Sequence, residues 1–293
     1  MTQLSDRELT EVTCNPLAMD GIEFVEYSTS KPQALGQVLE MMGFRPIARH
    51  RSREVLLYRQ GDMNVIINAH AGGQSRAVQP AETPVIAAIA LRVRDGAAAY
   101  RYAIDRGAWV VPSRVELMEL NIPAIHGVGA SRIYFVDRYR EFSIYDVDFT
   151  LNPNFDAHPP ALAGMHWFGI VQYIGSDRMA DWIEFYTELF GFSVRPDEQR
   201  YGILPKGRIL ESPCHSFYLQ LIDPKPDIFD PEPVELLQRV GLGTRDVLHT
   251  VTALRERGVE FVESKSVHSE VRGALTQSYL GGVMFELVHD ERP

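Results

Sequence analysis

The sequence predicts an α+β protein made of two tandem copies of one domain, and three observations carry that expectation. β-prone runs alternate with single amphipathic helices along the chain. Its 293 residues suffice for two ordinary domains, each with its own core. The first half also recurs in the second. MDGIEFVEYSTS (19–30) falls in step with MHWFGIVQYIGS (165–176), Val25 and Tyr27 answering Val171 and Tyr173, and residues 92–111 answer 243–262 with Gly107 opposite Gly258. A repeat of this length is a duplicated domain and not a solenoid. Strand, helix, strands occurs twice in each half, giving four βαβββ units. Two such units side by side make an open, curled antiparallel sheet with helices outside and a cavity within.

Taken in order, residues 1–18 read as a lead-in that carries Pro16. The first domain spans 19–150. It opens with a strand from Gly21, then a helix that begins near Lys31 with Pro32 at a tolerated first-turn position and stops at Gly43. β-prone runs follow at 48–53, 55–60 and 63–68. Residues 70–84, rich in Gly, Pro, Ser and Gln, read as a loop. A strand at 86–93 leads to a helix capped by Asp95 and ended by Gly107, and runs at 109–112, 132–136 and 143–149 complete the set. A Pro/Asn-rich linker covers 151–163. The second domain, 164–293, starts with a strand from His166. An amphipathic helix follows on which Met179, Trp182, Ile183, Phe185, Tyr186, Leu189 and Phe190 recur at helical spacing, with Gly191 as a left-handed cap.

Composition narrows the function. An apolar fraction of 45% with 23% charged residues is that of a globular protein. A formal charge of −10 without any basic run argues against a nucleic-acid surface. No apolar segment approaches the ~20 residues that cross a bilayer. The polar start is unlike a secretory signal, and two cysteines, Cys14 and Cys214, fit a reducing cytosol. There is no P-loop, GxGxxG after a strand, CxxC pair or GxSxG.

NPLAMDGIEFVEY, the series Met42-Gly43-Phe44, His50-Arg51-Ser52, Leu57-Tyr58-Arg59-Gln60-Gly61 and Asn68, the string MELNIPAIHGVG (118–129) and DRYREFSIYDVDF (137–149) resemble bacterial 4-hydroxyphenylpyruvate dioxygenases. These are members of the vicinal-oxygen-chelate superfamily. The resemblance covers essentially the whole chain and is strongest through residue 149. It implies a first domain that is structural and a second that holds one Fe(II) through two histidines and a glutamate. Such a set takes one face of the ion and leaves positions for a chelating α-keto acid and O2.

His166 stands where the family has its first ligand, with Asp20 at that place in the other half. By strict alternation it shares the cavity face with Phe168, Ile170 and Gln172, leaving Val171 and Tyr173 to the helix layer. Glu286, in Val283-Met284-Phe285-Glu286-Leu287, matches the carboxylate ligand. A glutamate in an apolar strand is costly unless it is paired or bound to metal. Tyr145 takes that place in the first half. The second histidine is replaced by Arg239, in Gln238-Arg239-Val240-Gly241-Leu242. Guanidinium has no lone pair to donate, so Arg239 would instead pair with Glu286 or hold a carboxylate. His249 reads as a helix-surface residue. His215 reads as the start of a strand on the helix-packed side, His268 as a loop residue and His289 as a strand end. Alternation points Tyr218, Gln220 and Ile222 at the cavity, and Gln277 matches a family glutamine that contacts the keto acid. The sequence ends at Pro293, where the family continues with a C-terminal helix over the pocket, so closure by a second subunit of a homo-oligomer is expected.

Three functions follow. The first is an Fe(II)-dependent oxygenase acting on a small aromatic or α-keto carboxylate with O2. The second is a metal-free module that binds such a carboxylate. The third is a metal-dependent lyase or isomerase on the same scaffold. An Arg239–Glu286 ion pair would favour the second, because the arginine would then fill the metal's place.

Overall fold

The computed structural model describes residues 15–70, 82–112, 120–140, 142–196, 207–223, 234–263 and 273–292. Residues 71–81 of the loop expected at 70–84, His268, Cys14 and the lead-in before Asn15 lie outside them.

Four units on one plan are visible, the first and third as full βαβββ and the second and fourth with two strands after the helix and an isolated bridge, at Val110 and Phe261, in place of the other. The first runs β1 (Ile22–Ser28), α1 (Pro32–Met41), β2 (Arg45–His50), β3 (Val55–Gln60) and β4 (Met63–Asn68). The second has β5 (Val85–Arg92), α2 (Gly96–Ile104), β6 (Ala124–His126) and β7 (Arg132–Val136); α3 (Ile144–Asp148) and β8 (Phe149–Leu151) follow it. The third has β9 (His166–Tyr173), α4 (Met179–Phe190), β10 (Ser193–Val194), β11 (Arg208–Glu211) and β12 (Tyr218–Ile222). The fourth has β13 (Leu236–Thr244), α5 (Val247–Glu256), β14 (Ala274–Leu275) and β15 (Phe285–His289).

The fold is α+β with one curled, unclosed sheet. Its pairing is mixed where an antiparallel sheet was expected. Within each unit the later strands form an antiparallel meander, but the first strand lies parallel to the last, as β1 does to β4 and β13 to β15. Units join through antiparallel first strands, β1 on β5 and β9 on β13, and the halves join where Leu237 pairs with Ile86.

Local chemistry sets the helices as the sequence predicts. Pro32 begins α1, and the side chains of Asp95 and Asp246 accept from Ala98 and His249 N–H groups to cap α2 and α5. Helices α1, α2, α4 and α5 all run out at glycines with positive φ, Gly43, Gly107, Gly191 and Gly258. Their apolar stripes, including Leu35, Leu39, Ala103, Tyr186, Phe190 and Leu254, pack against one face of the sheet in a single core. The run 143–149 is a correction. It forms helix α3 before the short strand β8, because Ser143 and Asp146 close a capping box that outweighs its β-branched content. The run 109–112 contributes only a bridge from Val110 to Ile125.

Contacts between the halves are specific. Arg257, just after α5, donates to the carbonyls of Glu40 (2.7 Å) and Met41 (3.0 Å), placing a cation on the orphan carbonyls at the end of α1. No helix among the described residues is long and apolar enough to cross a membrane.

Candidate functional site

The hollow of the second half lies on the face of β9, β12, β13 and β15 opposite the helices. Phe168, Ile170, Val171, Tyr218, Gln220 and Glu286 line it, and it encloses about 30 Å³. That is room for about one or two waters. Tyr218 and Gln220 fall on this face, as alternation predicted, while Phe217, Leu219 and Leu221 face the helix-packed core.

Strict alternation fails on β9. The pairing with β13 slips between Gly241/Gly169 and Leu242/Trp167, leaving Phe168 as the extra residue of a bulge. Gly169 sits against the Tyr218 carbonyl, where a Cβ would collide. Beyond the bulge the phase is reversed. Gln172 turns to the helix layer, where its Oε1 accepts from the Tyr186 hydroxyl at 2.8 Å, and Val171 takes a place in the wall of the hollow. The expected face of His166, Phe168, Ile170 and Gln172 is therefore broken after Phe168.

Arg239 and Glu286 form a buried ion pair, each only 2% exposed. Arg239 Nε donates to Glu286 Oε2 at 2.9 Å, Nη2 lies 2.9 Å from the same oxygen, and Nη1 donates to Gln238 Oε1 at 2.9 Å. Each charge is expensive to bury, and mutual neutralisation offsets the cost.

His166 does not join them. Its ring crosses Gly243 on β13, where a Cβ would run into the imidazole, and Nε2 meets Asp290 Oδ2 at 2.9 Å. Nδ1 lies 3.4 Å from the Gly164 carbonyl. Register explains the separation. His166 stands opposite Gly243, whereas Glu286 stands beside Gly241, two residues away along β13. The expected convergence of His166 and Glu286 is not what the contacts show: His166 is held on Asp290 and Glu286 on Arg239.

Asp290 is the hub of a second network that sequence reasoning missed. Arg292 Nε lies 2.8 Å from its Oδ2 and 3.1 Å from its Oδ1, and Arg292 Nη2 lies 2.7 Å from Oδ2. Burial pushes the Asp290 carboxyl up, but the hydrogen bonds from Arg292 and His166 outweigh it and hold the group below its usual range. The Arg292 guanidinium sits over the rings of Tyr218 (4.8 Å) and Phe168 (5.4 Å), and its Nη1 donates to the His215 carbonyl at 2.7 Å.

The remaining candidates scatter. Gln277 is exposed, and its amide reaches the Phe261 carbonyl at 3.4 Å, because β14 ends at Leu275 and the chain leaves the hollow. His215 precedes β12 in a left-handed turn (φ 59°) instead of opening the strand, and it lies 3.3 Å from Glu211. His249 is exposed on α5, and His289 is exposed at the end of β15. In the first half Asp20 accepts from Tyr139 and Arg140. That half has its own ion pair, buried Glu23 with half-buried Arg92 at 2.6 Å, and burial pushes the Glu23 carboxyl up against the opposing pull of Arg92. A glutamate inside the apolar strand β1 was the signal that could have found it.

These residues do not fit an Fe(II) centre. Glu286 is taken by a fixed cation, Arg239 offers no lone pair, His166 is turned to Asp290, and no three His, Cys, Asp or Glu side chains cluster among the described residues.

Four βαβββ units curled in pairs around a hollow define a tandem glyoxalase-type protein. The family model for the hydroxyphenylpyruvate dioxygenase N-terminal domain matches residues 13–150, and that for the glyoxalase/bleomycin resistance protein/dioxygenase superfamily matches 164–274. The chain is 33% identical to hemolysin VllY of Vibrio vulnificus and 32% identical to 4-hydroxyphenylpyruvate dioxygenase of Pseudomonas aeruginosa, in each case over 87% of this chain and 75% of the relative. A mutant of 4-hydroxymandelate synthase from Streptomyces coelicolor shares the fold, with a TM-score of 0.73 at 16% identity over 94% of this chain and 93% of that one. The chain belongs to the 4-hydroxyphenylpyruvate dioxygenase family.

Proposed function

We propose that this chain is a metal-free member of its family that binds a small aromatic or α-keto carboxylate in the hollow of its second half. One observation carries the reading: the Arg239 guanidinium is held on Glu286, the residue that the family resemblance assigns as the carboxylate ligand. A permanent positive charge then neutralises Glu286 without any metal. Phe168, Val171 and Tyr218 suit an apolar or aromatic body, and Gln220 and the Tyr218 hydroxyl supply polar partners. Family membership supports the ligand class, since the Pseudomonas relative is named for 4-hydroxyphenylpyruvate. The reading places the protein in the cytosol, where a chain with two cysteines would stay reduced.

Calorimetric titration with 4-hydroxyphenylpyruvate in the presence of a chelator tests it. Saturable binding is expected, with no oxygen uptake after Fe(II) is added. Iron-dependent oxygen consumption would overturn it in favour of the oxygenase, which the names of the relatives favour.

A further inference from the structure

At about 30 Å³ the hollow as it stands is too small for an aromatic acid, and what borders it is chemically specific. Phe168 and Tyr218 meet at its edge with ring centroids 5.1 Å apart, and Arg292 lies across both rings. The strap that carries Arg292 is fixed at three points. The Asp290 N–H donates to the Thr244 carbonyl at 2.9 Å, the Asp290 carboxylate is held by His166, and Arg292 Nη1 is held by the His215 carbonyl. Arg292 Nη2 is buried and lies 2.7 Å from Asp290 Oδ2, an ion pair without an aligned hydrogen bond. A guanidinium fork prefers a carboxylate that meets it in plane through two oxygens, whereas Asp290 presents mainly Oδ2.

We infer that Arg292 is the anion-recognising residue of this hollow, and that Asp290, positioned by His166, is a resident stand-in for the ligand's carboxylate. A small acid with an apolar body would part Phe168 from Tyr218, seat its body against the apolar wall and take the guanidinium from Asp290. The inference rests on the binding reading above. It gives His166 a positioning role through Asp290, and Gly243 the role of leaving the imidazole a path. Arg239 is left to neutralise Glu286 at depth, so each of the two arginines has its own acid.

Calorimetry with benzoate, and with benzamide as its uncharged counterpart, tests this on the full chain and its variants. Asp290→Asn removes the competing charge and keeps the shape, so benzoate should bind at least about tenfold more tightly. His166→Ala should move affinity the same way by less, and Arg292→Gln should weaken benzoate binding about tenfold or more. Benzamide should respond little to any of the three. Thermal melts that stay cooperative show each variant to be folded, and Arg292→Lys, which keeps the charge, should recover part of the loss. If wild type binds benzoate but Asp290→Asn binds it no better, or if benzamide gains as much as benzoate, the stand-in role is wrong while the binding reading survives. If neither wild type nor any variant binds benzoate, both fall together.

Discussion

Arg239 Nε donates to Glu286 Oε2 at 2.9 Å inside the second half, joining two residues 47 positions apart that are each 2% exposed. Removing one partner leaves a bare buried charge. Arg239→Met should therefore cost about 3–5 kcal/mol. Glu286→Leu added to it should recover most of that loss, because apolar replacement of both members of a buried pair is often near neutral. Urea unfolding of the two single variants and the double variant, read as a cycle, measures the coupling. Simple additivity would show that the pair does not interact.

Placing a histidine at position 239, where the resemblance implies the second metal ligand, should not by itself rebuild a metal centre. In Arg239→His the side chain of His166 would still lie across Gly243 on Asp290. We expect no stoichiometric Co(II) binding, followed by the d–d absorption bands, in that variant. Tight Co(II) binding would mean that Arg239 alone blocks the site.

Gly243 should tolerate no side chain. A Cβ there enters the volume of the His166 imidazole, so Gly243→Ala should cost about 1–3 kcal/mol, as overpacking commonly does. It should also shift the His166 imidazole resonances in NMR spectra. Unchanged resonances and an unchanged melting temperature would contradict the geometry.

Asp290 should make stability depend on acid. Its carboxyl titrates lower in the folded chain than in the unfolded one, where about 3.9 is usual. The folded state therefore binds fewer protons than the unfolded state between those two values. The contribution is fully present above the unfolded value and is lost as pH falls through the folded one. The stability difference between wild type and Asp290→Asn should be flat at neutral pH and shrink below about pH 4. A difference that grew on acidification would reverse the sign and exclude this assignment.

Much of the fold was legible because it follows from local rules. Asp95 capped the helix it was expected to cap, and Gly43, Gly107, Gly191 and Gly258 ended four helices, since caps and left-handed glycines act over a few residues. Tyr218 and Gln220 fell on the hollow because β12 keeps its alternation. The site was legible only in part. On β9 one extra residue at Phe168 reversed the phase, which sent Gln172 to Tyr186 and brought Val171 to the hollow. Gln277 was lost to the hollow because a two-residue strand ends before it.

The sequence alone determined the doubled βαβββ plan, the helix limits and the family, because repeats, caps and apolar periodicity are written over short spans. It also determined that Arg239 could not serve as a metal ligand, a matter of functional-group chemistry. Only the tertiary structure decided where His166 points and what it holds. Its partner Asp290 lies 124 residues away, just past β15, a strand that is not the neighbour of β9. The two meet because β9, β13 and β15 pair in one register and Gly243 between them has no side chain, and pairing between distant strands is set by the packing of the whole sheet.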